Sequence, residues 1–121
     1  MPKTRVVFFR DSEGQAPVLD WMRGLNEKAR DKCVIRIERL RDLGHELRRP
    51  EADYLRDGIY ELRTHFQTVN YRMLYFFHER NIVVLAHALV KESEIPNKHI
   101  EIALERKRRY ESDPNTYTFE G

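Results

Sequence analysis

The chain has 121 residues, of which 40% are hydrophobic and 35% charged. This length and composition predict a single domain over residues 1–121, with a modest core and a heavily solvated surface. The formal net charge of +2 is too small to indicate a polyanionic ligand without a local concentration of cations. One cysteine leaves no partner for an intramolecular disulfide, and no apolar run approaches the ~18 residues that cross a membrane. We therefore expect a soluble cytoplasmic protein.

The first third of the sequence predicts one strand and two helices. A contiguous apolar run, Arg5–Phe9, is typical of a buried strand. Apolar residues then recur at helical spacing from Pro17 until the chain reaches Gly24–Asn26. Asn26 is a suitable N-cap for a second helix, which Gly44 ends. We expect the two helices to form a hairpin that packs its apolar faces on a sheet.

The middle of the chain predicts a small antiparallel meander. Three runs rich in β-branched and aromatic residues are separated by short polar connections: Ile59–Thr64, Thr68–Phe77 and Asn81–Val90. The preceding segment, His45–Asp57, is expected to be a polar connection that ends in a turn at Asp57 and Gly58.

The end of the chain predicts a third helix, from Pro96 to about Tyr110, and an irregular tail over Ser112–Gly121. The element order is therefore β-α-α-β-β-β-α. Because sheet and helices are segregated along the chain, this order predicts an α+β fold. We expect a small antiparallel-rich sheet packed on the helical hairpin, with a C-terminal helix.

Alternation along the strands predicts which side chains share a face. It places Arg63 and Arg72 on one open face, opposite the face that contacts the helical hairpin. In the last strand, alternation groups five residues on one face. We place His87 on the open face with the arginines, and this assigns the whole set to that face. The set is Val83, Leu85, His87, Leu89 and Lys91.

The candidate functional residues are cations and imidazoles on this face. The candidate catalytic residues are Arg63, Arg72, His87 and Lys91, and the candidate RNA-binding residues are His65, Lys98 and Arg106. Such a group suits RNA, because guanidinium groups bind phosphates and stabilise charge in a phosphoryl transition state. A histidine of near-neutral pKa could act as acid or base, and a lysine could act as base if its pKa were lowered. The histidines and the lone cysteine lack metal-ligand spacing, and no motif predicts a cofactor.

Each of these residues also has a structural interpretation. Arg63 could form an ion pair with Glu61 or Glu79, and His87 could be a hydrogen-bonded core histidine. Arg72 is harder to explain in this way, because it interrupts a strongly apolar strand. On these residues alone, RNA cleavage is one candidate function among several.

Three segments resemble a known family. LRDGIYELR (Leu55–Arg63), VNYRMLYFF (Val69–Phe77) and the segment Ile82–Lys107 are similar to the phage-derived Gp49/HigB-like branch of the RelE/ParE toxin superfamily. The resemblance implies a RelE-like fold and a toxin of a type II toxin–antitoxin system. It further implies a metal-independent endoribonuclease that cuts mRNA on the ribosome by 2′-OH attack, and a helix-turn-helix antitoxin as partner.

The resemblance also implies roles for individual residues. Arg63 and Arg72 would hold the phosphate and stabilise the transition state, His87 would be the acid or base, and Lys91 would contact the RNA backbone or act as base. Two alternatives stay open. A ParE-like member would inhibit gyrase, and a degenerate member would only bind a protein partner. Leu89 and Glu92 favour the degenerate member, because the family pattern has an aromatic residue and a lysine at these positions.

Overall fold

The computed structural model describes residues 4–120. This part of the chain forms three α-helices, one 3₁₀ turn (Gly44–Glu46) and six strands. In chain order the elements are β1 (Arg5–Phe9), α1 (Pro17–Arg23), α2 (Glu27–Leu43), β2 (Ala52–Arg56), β3 (Ile59–Phe66), β4 (Val69–His78), β5 (Ile82–Val90), α3 (Asn97–Ser112) and β6 (Thr118–Phe119).

The strands form one six-stranded sheet in the order β2-β3-β4-β5-β1-β6. Strands β2 to β5 are an antiparallel meander, whereas β1 pairs with β5 in parallel and β6 pairs with β1 antiparallel. The predicted α+β class and C-terminal helix are confirmed. The predicted caps of α2 are confirmed too. Asn26 Oδ1 accepts a hydrogen bond from the Ala29 N–H at 2.9 Å, and Gly44 has a positive φ of 53°.

Two strands were not predicted. The polar connection expected over His45–Asp57 contains β2, and the tail expected to be irregular contains β6. Both strands are short, and they lie at the two edges of the sheet. In β2, charged residues and a register shift near the end of the strand obscure the alternation. The predicted turn does join β2 to β3, and its residues Asp57 and Gly58 both have positive φ, as two-residue hairpin turns require.

Helices cover both faces of the sheet. Helices α1 and α2 pack on one face, where the core includes Met22, Cys33, Leu62, Met73 and Leu85. Helix α3 packs on the other face, where the core includes Leu74, Phe76, Leu89, Ile100 and Ala103. The expectation that the face of Arg72 is open is therefore wrong for most of its area, since α3 covers it. The end of this face nearest the β3–β4 turn keeps the charged side chains of Arg63 and Arg72.

An irregularity in β5 changes the predicted set of residues that share a face. Leu74 pairs with His87, but Tyr75 pairs with Leu85, so Ala86 is an extra residue in β5. Val83 and Leu85 consequently pack with the α1–α2 side of the core, while Leu89 packs on the α3 side. The predicted set was wrong for the two residues before the bulge. His87 does lie on the α3 side, where it contacts that helix.

Candidate functional site

Two arginines lie directly opposite each other in neighbouring strands. The register of β3 and β4 pairs Arg63 with Arg72, an arrangement in which like charges repel. Glu61 offsets this repulsion. Its Oε1 atom accepts hydrogen bonds from Arg63 Nε and, at 2.7 Å, from Arg72 Nη1. Because Glu61 is only 2% exposed, a buried carboxylate holds both guanidinium groups in place.

The two arginines differ in their access to solvent. The side chain of Arg63 is 36% exposed, whereas Arg72 is 9% exposed as a residue. Arg63 Nη2 also lies 3.4 Å from Asp53 Oδ2, and Arg49 lies 2.8 Å from the same oxygen. The hydrogen bond from Arg49, aided by the charges of Arg49 and Arg63, lowers the pKa of Asp53. Arg63 is thus the arginine that a ligand can reach more easily, and Arg72 is the more deeply buried one.

A cleft of about 470 Å³ opens beside this pair. It is lined by Arg36, Pro50, Arg63, Thr64, His65, Asn70 and Arg72. His65 Nδ1 lies 2.7 Å from Asn70 Oδ1, and because that oxygen is an acceptor, Nδ1 carries the proton. His65 Nε2 is then left with a free lone pair. The cleft therefore combines guanidinium groups, which bind anions, with an imidazole nitrogen that accepts a proton.

Lys91 lies at the same end of the sheet as this cleft. Its backbone N–H donates to the Asn70 carbonyl at 3.2 Å, so Lys91 follows β5 next to the cleft-lining strand β4. Its side chain is half-buried, and Lys98 is exposed in the first turn of α3. The structure thus brings Arg63, Arg72, His65 and Lys91 to one end of the sheet.

His87 lies elsewhere, buried between β5 and α3. Its Nε2 atom is 2.8 Å from His99 Nδ1, and its Nδ1 atom is 3.3 Å from Arg106 Nη1. Burial first, then the charges of Arg106 and His99, lower the pKa of His87 to about 4. This lowered pKa does not favour the acid or base role that the resemblance implies for His87. Both ring nitrogens contact protein groups, as expected of a core histidine.

Arg106 also has a structural environment. Its Nη1 atom donates to the Ala86 carbonyl at 2.7 Å, which fixes the extra residue of the β5 bulge. Its guanidinium lies over the Phe9 ring, 5.7 Å from the centroid, and burial lowers its pKa. Arg106 is half-buried among these groups and does not line the cleft of Arg63 and Arg72.

Four residues near the candidate site were missed as site residues. Glu61, Arg36, Asn70 and His99 either line the cleft or hold a predicted residue. For Glu61 and Asn70 a signal existed, because alternation places them on the faces of Arg63 and Arg72. For Arg36 and His99 no local signal existed, since each reaches the site from a helix that is distant in sequence.

Among residues 4–120, no group of three or more His, Cys, Asp or Glu side chains is arranged to hold a metal ion. Over the same residues, no helix is both long enough and apolar enough to cross a membrane.

Comparison with known proteins defines the class of this chain. Residues 20–108 match the family of phage-derived Gp49-like proteins (DUF891). The matched segment runs from α1 to the last turns of α3 and includes every residue that lines the cleft. The chain belongs to this Gp49-like family. A comparison with curated proteins finds no significant match.

Proposed function

We propose that this protein is the toxin of a type II toxin–antitoxin system and that it cleaves mRNA without a metal ion. The supporting observation is the cleft in which Arg63 and Arg72 lie side by side next to the His65 imidazole. A toxin role is also compatible with membership of the Gp49-like family.

In the proposed reaction, a phosphodiester of the RNA occupies the cleft. The partly exposed Arg63 binds a phosphoryl oxygen. Arg72 keeps its ion pair with Glu61 and contributes positive charge from its buried position next to Arg63. The ribose 2′-oxygen attacks phosphorus, the bond to the 5′-oxygen breaks, and the products are a 2′,3′-cyclic phosphate and a 5′-hydroxyl. Both guanidinium groups stabilise the negative charge that develops on the phosphoryl oxygens.

The proposed reaction moves two protons. His65 Nε2 has a free lone pair in this hydrogen-bond arrangement, so it accepts the proton of the 2′-hydroxyl. Lys91, which follows β5, donates the second proton from its ammonium group to the leaving 5′-oxygen. His87 takes no part in proton transfer here, because both of its nitrogens are engaged and its pKa is lowered to about 4.

The proposal includes the partners implied by the resemblance. A nuclease that cuts host transcripts arrests growth, so its host requires a neutralising antitoxin, here proposed to be a helix-turn-helix protein. The proposed substrate is mRNA bound to the ribosome. Primer extension on transcripts cut with and without ribosomes tests this dependence directly.

The test is induction of the chain without a partner, followed by primer-extension mapping of transcripts. We expect growth arrest and new 5′ ends. Arg63→Ala should reduce cleavage about 10²–10³-fold, because a preorganised donor to the transition state is lost. Arg41→Ala is the matched control, since Arg41 is an exposed arginine of α2 that does not line the cleft.

Three outcomes would contradict the nuclease proposal. Growth arrest with intact transcripts and trapped gyrase would assign the protein to the gyrase inhibitors. Absence of arrest would favour a member that only binds a protein partner. Equal loss of activity in Arg63→Ala and Arg41→Ala would show that the cleft is not the site.

A further inference from the structure

The hydrogen bonds between β5 and α3 determine where His99 carries its proton. A guanidinium group has only donors, so His87 Nδ1 must accept from Arg106 Nη1. His87 is neutral, and its proton is therefore on Nε2, from which it donates to His99 Nδ1 at 2.8 Å. The proton of a neutral His99 must then be on Nε2.

Burial and two nearby lysines favour the neutral form of His99. Partial burial, followed by the charges of Lys98 and Lys91, lowers the pKa of His99. His99 also lies in the first turn of α3, where its backbone N–H donates to the Pro96 carbonyl at 3.0 Å. The positive end of the helix dipole further disfavours a charged imidazole at this position. Lys98 of α3 and Lys91, which follows β5, are the charged side chains that lower this pKa.

The Nε2–H group of His99 is open to solvent. Within residues 4–120, no buried side-chain nitrogen or oxygen lacks a hydrogen-bond partner, and His87 is the residue to which the His99 side chain bonds. His99 is half-buried, so its Nε2 atom must be among the accessible ones.

Two residues link the donor to the arginine pair, His87 through the strand register and Lys91 through its charge. His87 pairs with Leu74 in β4, and Arg72 precedes Leu74 by two residues on the same face. His87 is thus a diagonal neighbour of Arg72, about 7–8 Å away across the sheet, and His99 contacts His87 from α3. Lys91, which acts on His99, is hydrogen-bonded to the cleft residue Asn70.

We propose that His99 Nε2–H is a fixed hydrogen-bond donor to a phosphoryl oxygen of the RNA, and that His87 is the residue that positions it. No proton leaves His99 in this role, so the neutral imidazole acts as a donor and not as an acid. The inference rests on the proposed nuclease function and adds a second contact to the RNA backbone.

Nuclear magnetic resonance tests the inference without relying on activity. The imidazole nitrogens of ¹⁵N-histidine-labelled protein should report a protonated Nε2 and an unprotonated Nδ1 for His99. Adding an oligonucleotide with a 2′-deoxy linkage, which cannot be cleaved, should shift the Nε2–H signal of His99. His87→Gln should produce a mixture of His99 tautomers, which a merely packing role of His87 would not. A protonated Nδ1 in the wild type, or no shift with the oligonucleotide, would overturn the proposal.

Kinetics gives a second test. His99→Ala should raise KM for RNA cleavage about tenfold with little change in kcat, because the affinity supplied by a contact to an unreacting part of the backbone is lost. His99→Gln places an amide N–H near the position of Nε2 and should restore most of the loss. His78→Gln is the matched control, since His78 contacts Tyr110 of α3 away from the cleft.

The two proposals fail in different ways. If the wild type does not cleave RNA but the oligonucleotide shifts the His99 signal, the nuclease function fails and the phosphate contact stands. If the wild type cleaves RNA and His99→Ala cleaves it equally well, the nuclease function stands and the role of His99 is refuted.

Discussion

Arginine and histidine meet in two regions on the α3 side of the sheet, and their surroundings differ. At the β3–β4 end, Arg63 and Arg72 share the carboxylate of Glu61, and His65 lies in the cleft beside them. Between β5 and α3, Arg106 instead donates to a backbone carbonyl and covers an aromatic ring, while His87 is buried. In the first region Arg63 is partly exposed and Arg72 is buried against its counter-ion, whereas in the second Arg106 and His87 join a helix to a strand. Residue type alone therefore does not distinguish a ligand-binding cation from a structural one.

The largest expected effect removes the carboxylate that defines the first region. Glu61→Ala should lower the free energy of unfolding by about 3–5 kcal/mol, because two opposed arginines would lose their buried counter-ion. Urea unfolding of the purified protein measures this change. Glu120→Ala is the control, since it removes an exposed partner of Arg5 and should cost less than about 1 kcal/mol. Equal effects of the two substitutions would mean that Glu61 is not essential to the arginine pair.

The second region should make stability depend on pH. The pKa of His87 falls from its ordinary value of 6.5 to about 4 on folding, so the unfolded chain binds more protons between these values. The free energy of unfolding should therefore rise with pH from about 4 to 6.5, by roughly 2–3 kcal/mol, and this contribution should be complete above 6.5. Comparing urea unfolding of the wild type and His87→Gln across this range isolates it. A variant that retains the full pH dependence would assign the titration to another group.

The smallest effect sharpens the comparison at the edge of the cleft. Asp53→Asn should change stability by less than about 1 kcal/mol, because Asp53 pairs with the exposed Arg49 and only weakly with Arg63. It should also strengthen binding of a non-cleavable oligonucleotide about two-fold, since removing this charge frees Arg63 for phosphate. Fluorescence anisotropy at fixed salt measures the affinity. Weaker binding would indicate that Asp53 orients Arg63 for the ligand.

Much of the fold could be predicted because local patterns were strong. The apolar runs of β3, β4 and β5 and the caps of α2 have clear signals, and period-two alternation correctly placed Arg63 and Arg72 on one face. The extra residue Ala86 could not be predicted, since a bulge depends on the pairing of β5 with β4 and on the contact with Arg106.

The candidate site was less predictable than the fold. Alternation cannot say which helix covers a face, so the sequence left open whether His87 is a core histidine, and the contact with α3 decides this. The sequence does contain Glu61 beside Arg63, but only the register shows that one carboxylate serves two arginines. Contacts between residues far apart in the chain thus account for most of what was missed.

The short strands β2 and β6 have a consequence for the chain at high concentration. A sheet whose outer strands are long and apolar adds strands from other molecules and aggregates. Here β6 has two residues, and β2 carries Asp53 and Arg56, which pair with charges on neighbouring elements. Backbone hydrogen-bonding groups at both edges are thereby poorly suited to recruit a second copy. The edges of the sheet thus oppose fibre formation, whatever ligand the cleft binds.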